Sequence, residues 1–237
     1  MGTVYRLTLR QLTSRWRLVI MALLATMPVI IAVLMLRSAN ATAMQDFESV
    51  ILGGMLAGSI APLVVLAIAA PAFANEIEDK TLANLVLAPI TRGRIALPKL
   101  LATITVATPF MAVSAFATSY VAFLGDMSAT IAVTIAVIAG VAIYAAAFVW
   151  LGLLTTQAIG VGLLYIVLWE GLFSGFVSGV RLLSIRHYSI ALMHGLDERR
   201  FAFTSHMNFV VAIVICSLVF AGFLLLSIRR LRRMDVP

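Results

Sequence analysis

Long apolar runs, almost free of charged residues, alternate along the chain with short polar segments. An α-helix rises about 1.5 Å per residue, so roughly 20 apolar residues cross the hydrocarbon core of a bilayer. Runs of about that length occupy residues 18–36, 50–73, 100–124, 128–154, 158–179 and 207–228. The pattern therefore predicts an all-α polytopic membrane protein with six transmembrane helices, forming a single transmembrane domain over residues 1–237.

The composition supports a membrane protein. The chain is 62% hydrophobic and 11% charged, whereas soluble domains are about 45–50% apolar and about 25% charged. A soluble domain and a disordered chain are therefore both excluded. The single cysteine, Cys216, lies within the last apolar run, which indicates a packing residue and excludes an internal disulfide.

The distribution of charge predicts the orientation. The formal net charge is +7, and with six crossings both termini fall on one side of the membrane. That side holds twelve of the 17 Lys and Arg residues, close to the ends of the apolar runs. By the positive-inside rule it is cytoplasmic. The basic excess thus reflects topology, and no nucleic-acid partner is expected.

Residues 1–17 carry an amphipathic pattern. One face of the predicted helix holds Tyr5, Leu9, Leu12 and Trp16, and another face holds Arg6, Arg10, Thr13 and Arg17. This pattern is typical of a helix that lies in the membrane interface, where Tyr5, Arg6, Arg10 and Trp16 would anchor it to the lipid bilayer. The alternative is an ordinary basic flank of the first span.

The largest predicted cytoplasmic segment covers residues 74–99. It contains a charged cluster, then a helical turn with an apolar ridge, and a stop at Pro89. The cluster is Glu76, Glu78, Asp79 and Lys80, and the ridge is Leu82, Leu85 and Val86. A charged end beside an apolar ridge suits a partner protein. A solvated hairpin whose Arg92, Arg94 and Lys99 face lipid headgroups fits the composition equally well.

The basic N-terminal helix, the six spans and this acidic segment together resemble the type 2 permease family of ABC transporters. The residues that carry the resemblance are Glu76, Glu78, Thr81, Leu82, Leu85, Pro89, Ile90, Arg92 and Lys99. The resemblance implies that residues 74–99 are a coupling segment braced by an elbow helix, residues 1–17. It also implies a second permease copy, as a homodimer, and one nucleotide-binding ATPase subunit for each copy. The implied ATPase-docking residues are Glu76, Glu78, Asp79, Thr81, Leu82, Leu85, Pro89 and Arg92.

No phosphate-binding G-x-x-x-x-G-K-[ST] motif occurs in the sequence. We therefore expect that the chain does not hydrolyse ATP itself. The family resemblance implies that ATP and Mg²⁺ bind to the partner ATPase, and that this chain is not an enzyme and has no catalytic residue, metal or cofactor of its own. The expected location is the plasma membrane of a prokaryotic cell.

Glu170 is the one residue of a charged type inside a predicted span. It lies about 18 Å from the predicted inner boundary, which places it in the outer half of the membrane. An acidic residue near a helix centre costs roughly 2.5–3.5 kcal/mol, so it needs a partner or a proton. It either accepts hydrogen bonds from a broken helix or an arginine, the favoured role, or it lines the transport path as a gate. A turn of the chain back into the membrane would bring Arg181 or Arg186 to it.

Gly171, Gly175 and Gly179 recur at every fourth position after Glu170. Small residues at this spacing let helices approach closely, which indicates packing in a dimer. The same glycines permit a break and a re-entrant turn. The family resemblance implies short helices that dip back into the outer leaflet between the last two spans.

The predicted outer loop, residues 180–206, contains His187, His194 and His206. Their spacing matches no compact zinc pattern, and no G-x-S-x-G turn occurs. We therefore interpret the loop as short interfacial helices whose apolar residues enter the outer leaflet. These residues are Leu182, Leu183, Ile185, Tyr188 and Leu192.

The sequence thus predicts the permease subunit of an ABC transporter that exports an amphipathic or lipid-like substrate. The alternative from another class is a channel or a membrane-embedded enzyme that works without ATP. A nearer alternative is a cytochrome-maturation type ABC permease.

Overall fold

A computed structural model describes residues 2–38, 47–78, 92–173, 184–199, 201 and 208–233, and every regular element in these ranges is helical. The α-helices are α1 (Gly2–Leu12), α2 (Arg15–Ser38), α3 (Ala61–Ala69), α4 (Pro71–Glu78), α5 (Gly93–Ala122), α6 (Met127–Leu154), α7 (Ala158–Tyr165), α8 (Ile185–Leu196) and α9 (Phe209–Arg233). Two π-helical segments accompany them, π1 (Phe47–Ile60) before α3 and π2 (Ile166–Phe173) after α7.

Within the described ranges, five helices are long and apolar enough to span a bilayer. They are Arg15–Arg37, Val50–Glu78, Gly93–Ala122, Met127–Leu154 and Phe209–Arg233. The predicted run 158–179 is represented by a shorter apolar helix, Ala158–Leu172, and residues 174–179 lie outside the described part. The prediction of an all-α membrane protein is confirmed, and the sixth crossing stays a prediction.

The centre of the bundle is formed by α3, α4 and α6. Most side chains of α3 and α6 are buried, whereas α2 and α9 expose most of theirs. Glycines allow the central helices to approach closely: a Cβ added at Gly152 in α6 would overlap the carbonyl oxygen of Ala70, between α3 and α4. Likewise, a Cβ added at Gly162 in α7 would overlap the Leu66 side chain of α3. The helix Val50–Glu78, which combines most of π1 with α3 and α4, therefore packs tightly on both α6 and α7.

The two ends of the bundle differ in charge. At one end, where Ile228 of α9 lies near Gly93 at the start of α5, α9 finishes with Arg229, Arg230, Arg232 and Arg233. We call this the basic end. At the opposite end, a tight turn joins α5 to α6, with Leu124 and Gly125 at φ values of 52° and 89°. Asp126 then caps α6 by accepting hydrogen bonds from the backbone N–H groups of the first turn.

The N-terminal helix α1 packs along the half of α5 that is nearer the basic end. The Tyr5 hydroxyl donates a hydrogen bond to Oγ1 of Thr105 at 3.1 Å, and Leu12 is buried. The opposite face, with Arg6 and Arg10, is exposed. One side of α1 thus packs on α5, and the other side is exposed to solvent or headgroups.

The spacing of Trp16 predicted that it continues the apolar face of α1, but in the structure it does not. Helix α1 ends at Leu12 and α2 begins at Arg15, so Trp16 belongs to α2, where it is 78% exposed. The break at residues 13 and 14 separates the two helices. The roles of Tyr5, Arg6, Arg10 and Trp16 as interfacial anchors stay predictions.

Helix α8 enters the interior of the bundle. The Ser189 hydroxyl lies 2.7 Å from a Cβ added at Gly140, the fourteenth residue of the 28-residue α6, so α8 meets α6 at its midpoint. The other end of α8 reaches the opposite end of the bundle, where Gly195 contacts Phe209, the first residue of α9. The apolar residues predicted to enter the lipid from this helix are instead buried among other helices. They are Ile185, Tyr188 and Leu192.

Candidate functional sites

The first candidate site lies at the basic end, where an ion pair joins α4 to α5. Lys99 of α5 is buried, and its Nζ lies 2.5 Å from Oε1 of Glu76 in α4. The same ammonium group donates a hydrogen bond to the carbonyl oxygen of Ala72 and stands over the Phe73 ring, 4.2 Å from its centroid. We call Glu76, Lys99, Ala72 and Phe73 together the Glu76–Lys99 clamp.

The clamp joins the two helices on either side of residues 79–91. Glu76 lies in the last turn of α4 and Lys99 in the second turn of α5, so the ion pair joins the two helices that flank this segment. A lysine is tolerated in an apolar interior when its charge is paired and its protons are hydrogen-bonded. Glu76 and the Ala72 carbonyl provide both, and the ring face adds a cation–π attraction.

The orientation of Glu76 adds a contact that the sequence interpretation missed. Its side chain is 13% exposed and faces the interior, although Glu76 was predicted to face an ATPase. The sequence signal for this contact was Lys99, a lysine placed directly before an apolar run. Glu78 is exposed and Arg92 is partly buried. The other predicted docking residues lie outside the described part: Asp79, Thr81, Leu82, Leu85 and Pro89. Docking on an ATPase stays a prediction for the whole set.

The second candidate site surrounds Glu170 in π2, whose carboxylate is fully buried. It accepts hydrogen bonds from the Ser184 hydroxyl at 2.5 Å, from the Ile185 N–H at 3.1 Å and from the Tyr165 hydroxyl at 3.2 Å. Ser184 is the N-cap of α8 and Ile185 is its first residue, so two of these donors belong to the start of that helix. The partial positive charge at a helix N-terminus stabilises the carboxylate further.

The winding of π2 brings Tyr165 to Glu170. On an α-helix, side chains three or four positions apart are neighbours, whereas those five apart point in different directions. A π-helix bonds residues five positions apart, and π2 begins directly after Tyr165. The π segment thus places a third donor on the carboxylate.

The depth of Glu170 in the bundle follows from the position of its donors. Ile185 begins α8, and Ser189, one turn further along α8, lies against Gly140 at the midpoint of α6. Glu170 therefore lies near the middle of the bundle. Its predicted place in the outer half of the membrane stays a prediction.

Arg186, one of the two predicted partners of Glu170, packs against π1. A Cβ added at Gly58 would lie 2.7 Å from Cδ of Arg186. Gly171 is exposed, and a Cβ added there would approach only its own helix, at the Ile166 carbonyl oxygen. Arg181, Gly175 and Gly179 lie outside the described residues. Dimer packing at the three glycines stays a prediction.

The described helices define a multi-pass membrane protein with buried charges at two sites, the clamp and Glu170. A family model described as "ABC-2 family transporter protein" matches residues 9–185. The chain therefore belongs to the ABC-2 family of transporters, and the resemblance to ABC permeases that residues 74–99 carry is confirmed. No curated protein matches the chain.

Proposed function

We propose that this chain is the permease subunit of an exporter that is driven by ATP hydrolysis in a separate ATPase subunit. The observation that carries the proposal, beside the family membership, is the Glu76–Lys99 clamp at the base of residues 79–91. A segment that receives force from a partner needs a rigid attachment to the helices that it moves. The clamp supplies such an attachment, because one buried lysine of α5 contacts three residues of α4.

In the proposed orientation, the basic end and both termini are cytoplasmic, and α1 is the elbow helix. The arginines that end α9 support this orientation through the positive-inside rule. We assign the sixth crossing to α7, π2 and the residues that follow them, and we assign α8 to a re-entrant region. The contact of Ser189 with Gly140 at the midpoint of α6 supports the second assignment.

The proposed mechanism starts with closure of the ATPase subunits on ATP, with Mg²⁺ bound there. Closure pushes on residues 74–99, and α4 transmits the movement to the continuous helix Val50–Glu78. This helix packs on α6 at Gly152 and on α7 at Gly162, so its tilt moves both. Two permease copies in the lipid bilayer then change the access to a path between them, through which an amphipathic or lipid-like substrate leaves.

Copurification tests the proposal. Expressed together with its neighbouring genes, the tagged permease is expected to retain an ATPase subunit. Replacing both Leu82 and Leu85 by alanine is expected to abolish retention by removing the predicted apolar ridge. The matched control replaces Leu124 and Leu196, exposed leucines at the opposite end, by alanine and is expected to leave retention unchanged. Retention equal to that of the parent after the Leu82 and Leu85 changes, with both proteins folded, would contradict the docking role.

A further inference from the structure

The start of α8 is held in the middle of the bundle by a single carboxylate. Ser184 and Ile185, the N-cap and first residue of α8, both donate hydrogen bonds to Glu170, which belongs to the preceding hydrophobic segment. The Tyr165 hydroxyl fixes the carboxylate from its own helix. These bonds are directional and are made to a charged acceptor in an apolar interior, where they are stronger than in water.

The remaining contacts of α8 fill the bundle from its middle to its opposite end. Ser189 packs on Gly140 of α6, and Gly195 packs on Phe209 of α9. Contacts of this kind stabilise α8 between its neighbours by burying apolar surface, but they are non-directional. The directional contacts that fix the start of α8 are its hydrogen bonds to Glu170.

A continuous element connects this point with the basic end. Glu76 of the clamp and Gly58 lie on the same 29-residue helix, Val50–Glu78, about 27 Å apart along its axis. Gly58 contacts the side chain of Arg186, which directly follows Ile185 in α8. A tilt of that helix therefore displaces the first turn of α8, the turn that Glu170 holds.

We propose that Glu170 is a latch that positions α8 inside the bundle, and that release of its hydrogen bonds to Ser184 and Ile185 opens the bundle toward the opposite end. The latch keeps α8 between α6 and α9 while the transporter rests. Movement of the helix Val50–Glu78 against Arg186 breaks it during the transport cycle. The inference deepens the proposed transport function, and it assigns to Glu170 a positioning role and no direct contact with the substrate.

The test measures the reaction of a thiol placed on the face of α6 that packs against α8. Ala136 is buried one turn from Gly140 on the same face of α6, toward the opposite end. In a Cys216→Ser background, Ala136→Cys is placed in the purified permease in vesicles and treated with a charged, membrane-impermeant thiol reagent. Glu170→Gln is expected to speed labelling roughly ten-fold or more, because an amide accepts weaker hydrogen bonds than a carboxylate.

Two further variants keep the result interpretable. Ser184→Ala removes one latch donor without touching Glu170, and it is expected to speed labelling as well. Ala107→Cys, a fully buried position in α5, is the control site, where Glu170→Gln is expected to leave the rate unchanged. Size-exclusion profiles establish that every variant is folded.

The latch is overturned if Glu170→Gln and Ser184→Ala both leave the rate at position 136 within about two-fold of the parent, or if the rate at position 107 rises equally, which indicates general loosening. This assay uses the permease alone. Failure to retain an ATPase therefore contradicts the proposed function without affecting the latch, whereas ATPase retention with unchanged labelling contradicts the latch alone.

Discussion

Replacing Lys99 with methionine is expected to destabilise the permease strongly. Methionine preserves most of the apolar stem but leaves the Glu76 carboxylate beside the Phe73 ring and the Ala72 carbonyl without its cation. Removing one partner of a buried ion pair typically lowers the free energy of unfolding by 3–5 kcal/mol. Because Glu76 is 13% exposed and retains some contact with water, we expect a loss near the lower limit, about 3 kcal/mol. The measurement is the apparent melting temperature in detergent, with the yield of monodisperse protein.

The double variant Lys99→Met with Glu76→Gln separates loss of the pair from loss of packing. It removes both charges, and it is expected to recover most of the lost stability, since a neutral pair of similar size replaces the carboxylate that has lost Lys99. Glu78→Gln, an exposed position on the same helix, serves as the control and is expected to melt like the parent. A Lys99→Met protein that melts within experimental error of the parent would show that the clamp does not stabilise the fold.

The apolar runs predicted most of the helices because burial in lipid demands long uncharged stretches. Their ends were less predictable. Helix α5 begins at Gly93, seven residues before the apolar run from which it was predicted, and it includes Arg94 and Lys99. The hydropathy pattern placed Lys99 outside the span, whereas in the structure its ammonium pairs with Glu76 inside the bundle. A pair contact between distant residues is invisible to a pattern read along one chain.

The site at Glu170 was predictable in kind but not in detail. A carboxylate in an apolar run needs hydrogen-bond donors, because a charge without partners is costly to bury in a membrane. The identity of the donors does not follow, because Ser184 lies fourteen residues further along and approaches only when α8 enters the bundle. Tyr165 is at a spacing that an α-helical pattern rejects, and the π2 winding makes the contact possible.

Replacing Gly152 with alanine is expected to disrupt the centre of the bundle, although the change adds one methyl group. The new Cβ would overlap the carbonyl oxygen of Ala70 and lie 3.3 Å from its carbonyl carbon. These are backbone atoms, so no side-chain rotation relieves the overlap, and α6 has to move away from α3 and α4. Overpacking of this kind lowers the free energy of unfolding by about 1–3 kcal/mol, and it moves α4, which carries the Glu76–Lys99 clamp.

The same substitution at Gly160 provides the matched control. Gly160 lies in α7, is exposed and has no neighbour within 4 Å of an added Cβ, so alanine there brings only its helix propensity. The Gly160→Ala protein is expected to be unchanged or more stable by up to about 1 kcal/mol, and the Gly152→Ala protein to melt lower than the parent. Two glycines that look alike in an apolar sequence are thus expected to respond differently to the same substitution. Equal melting temperatures for the two variants would show that α6 moves away from Ala70 without loss of stability. The close approach of Gly152 to Ala70 would then not be needed for the fold.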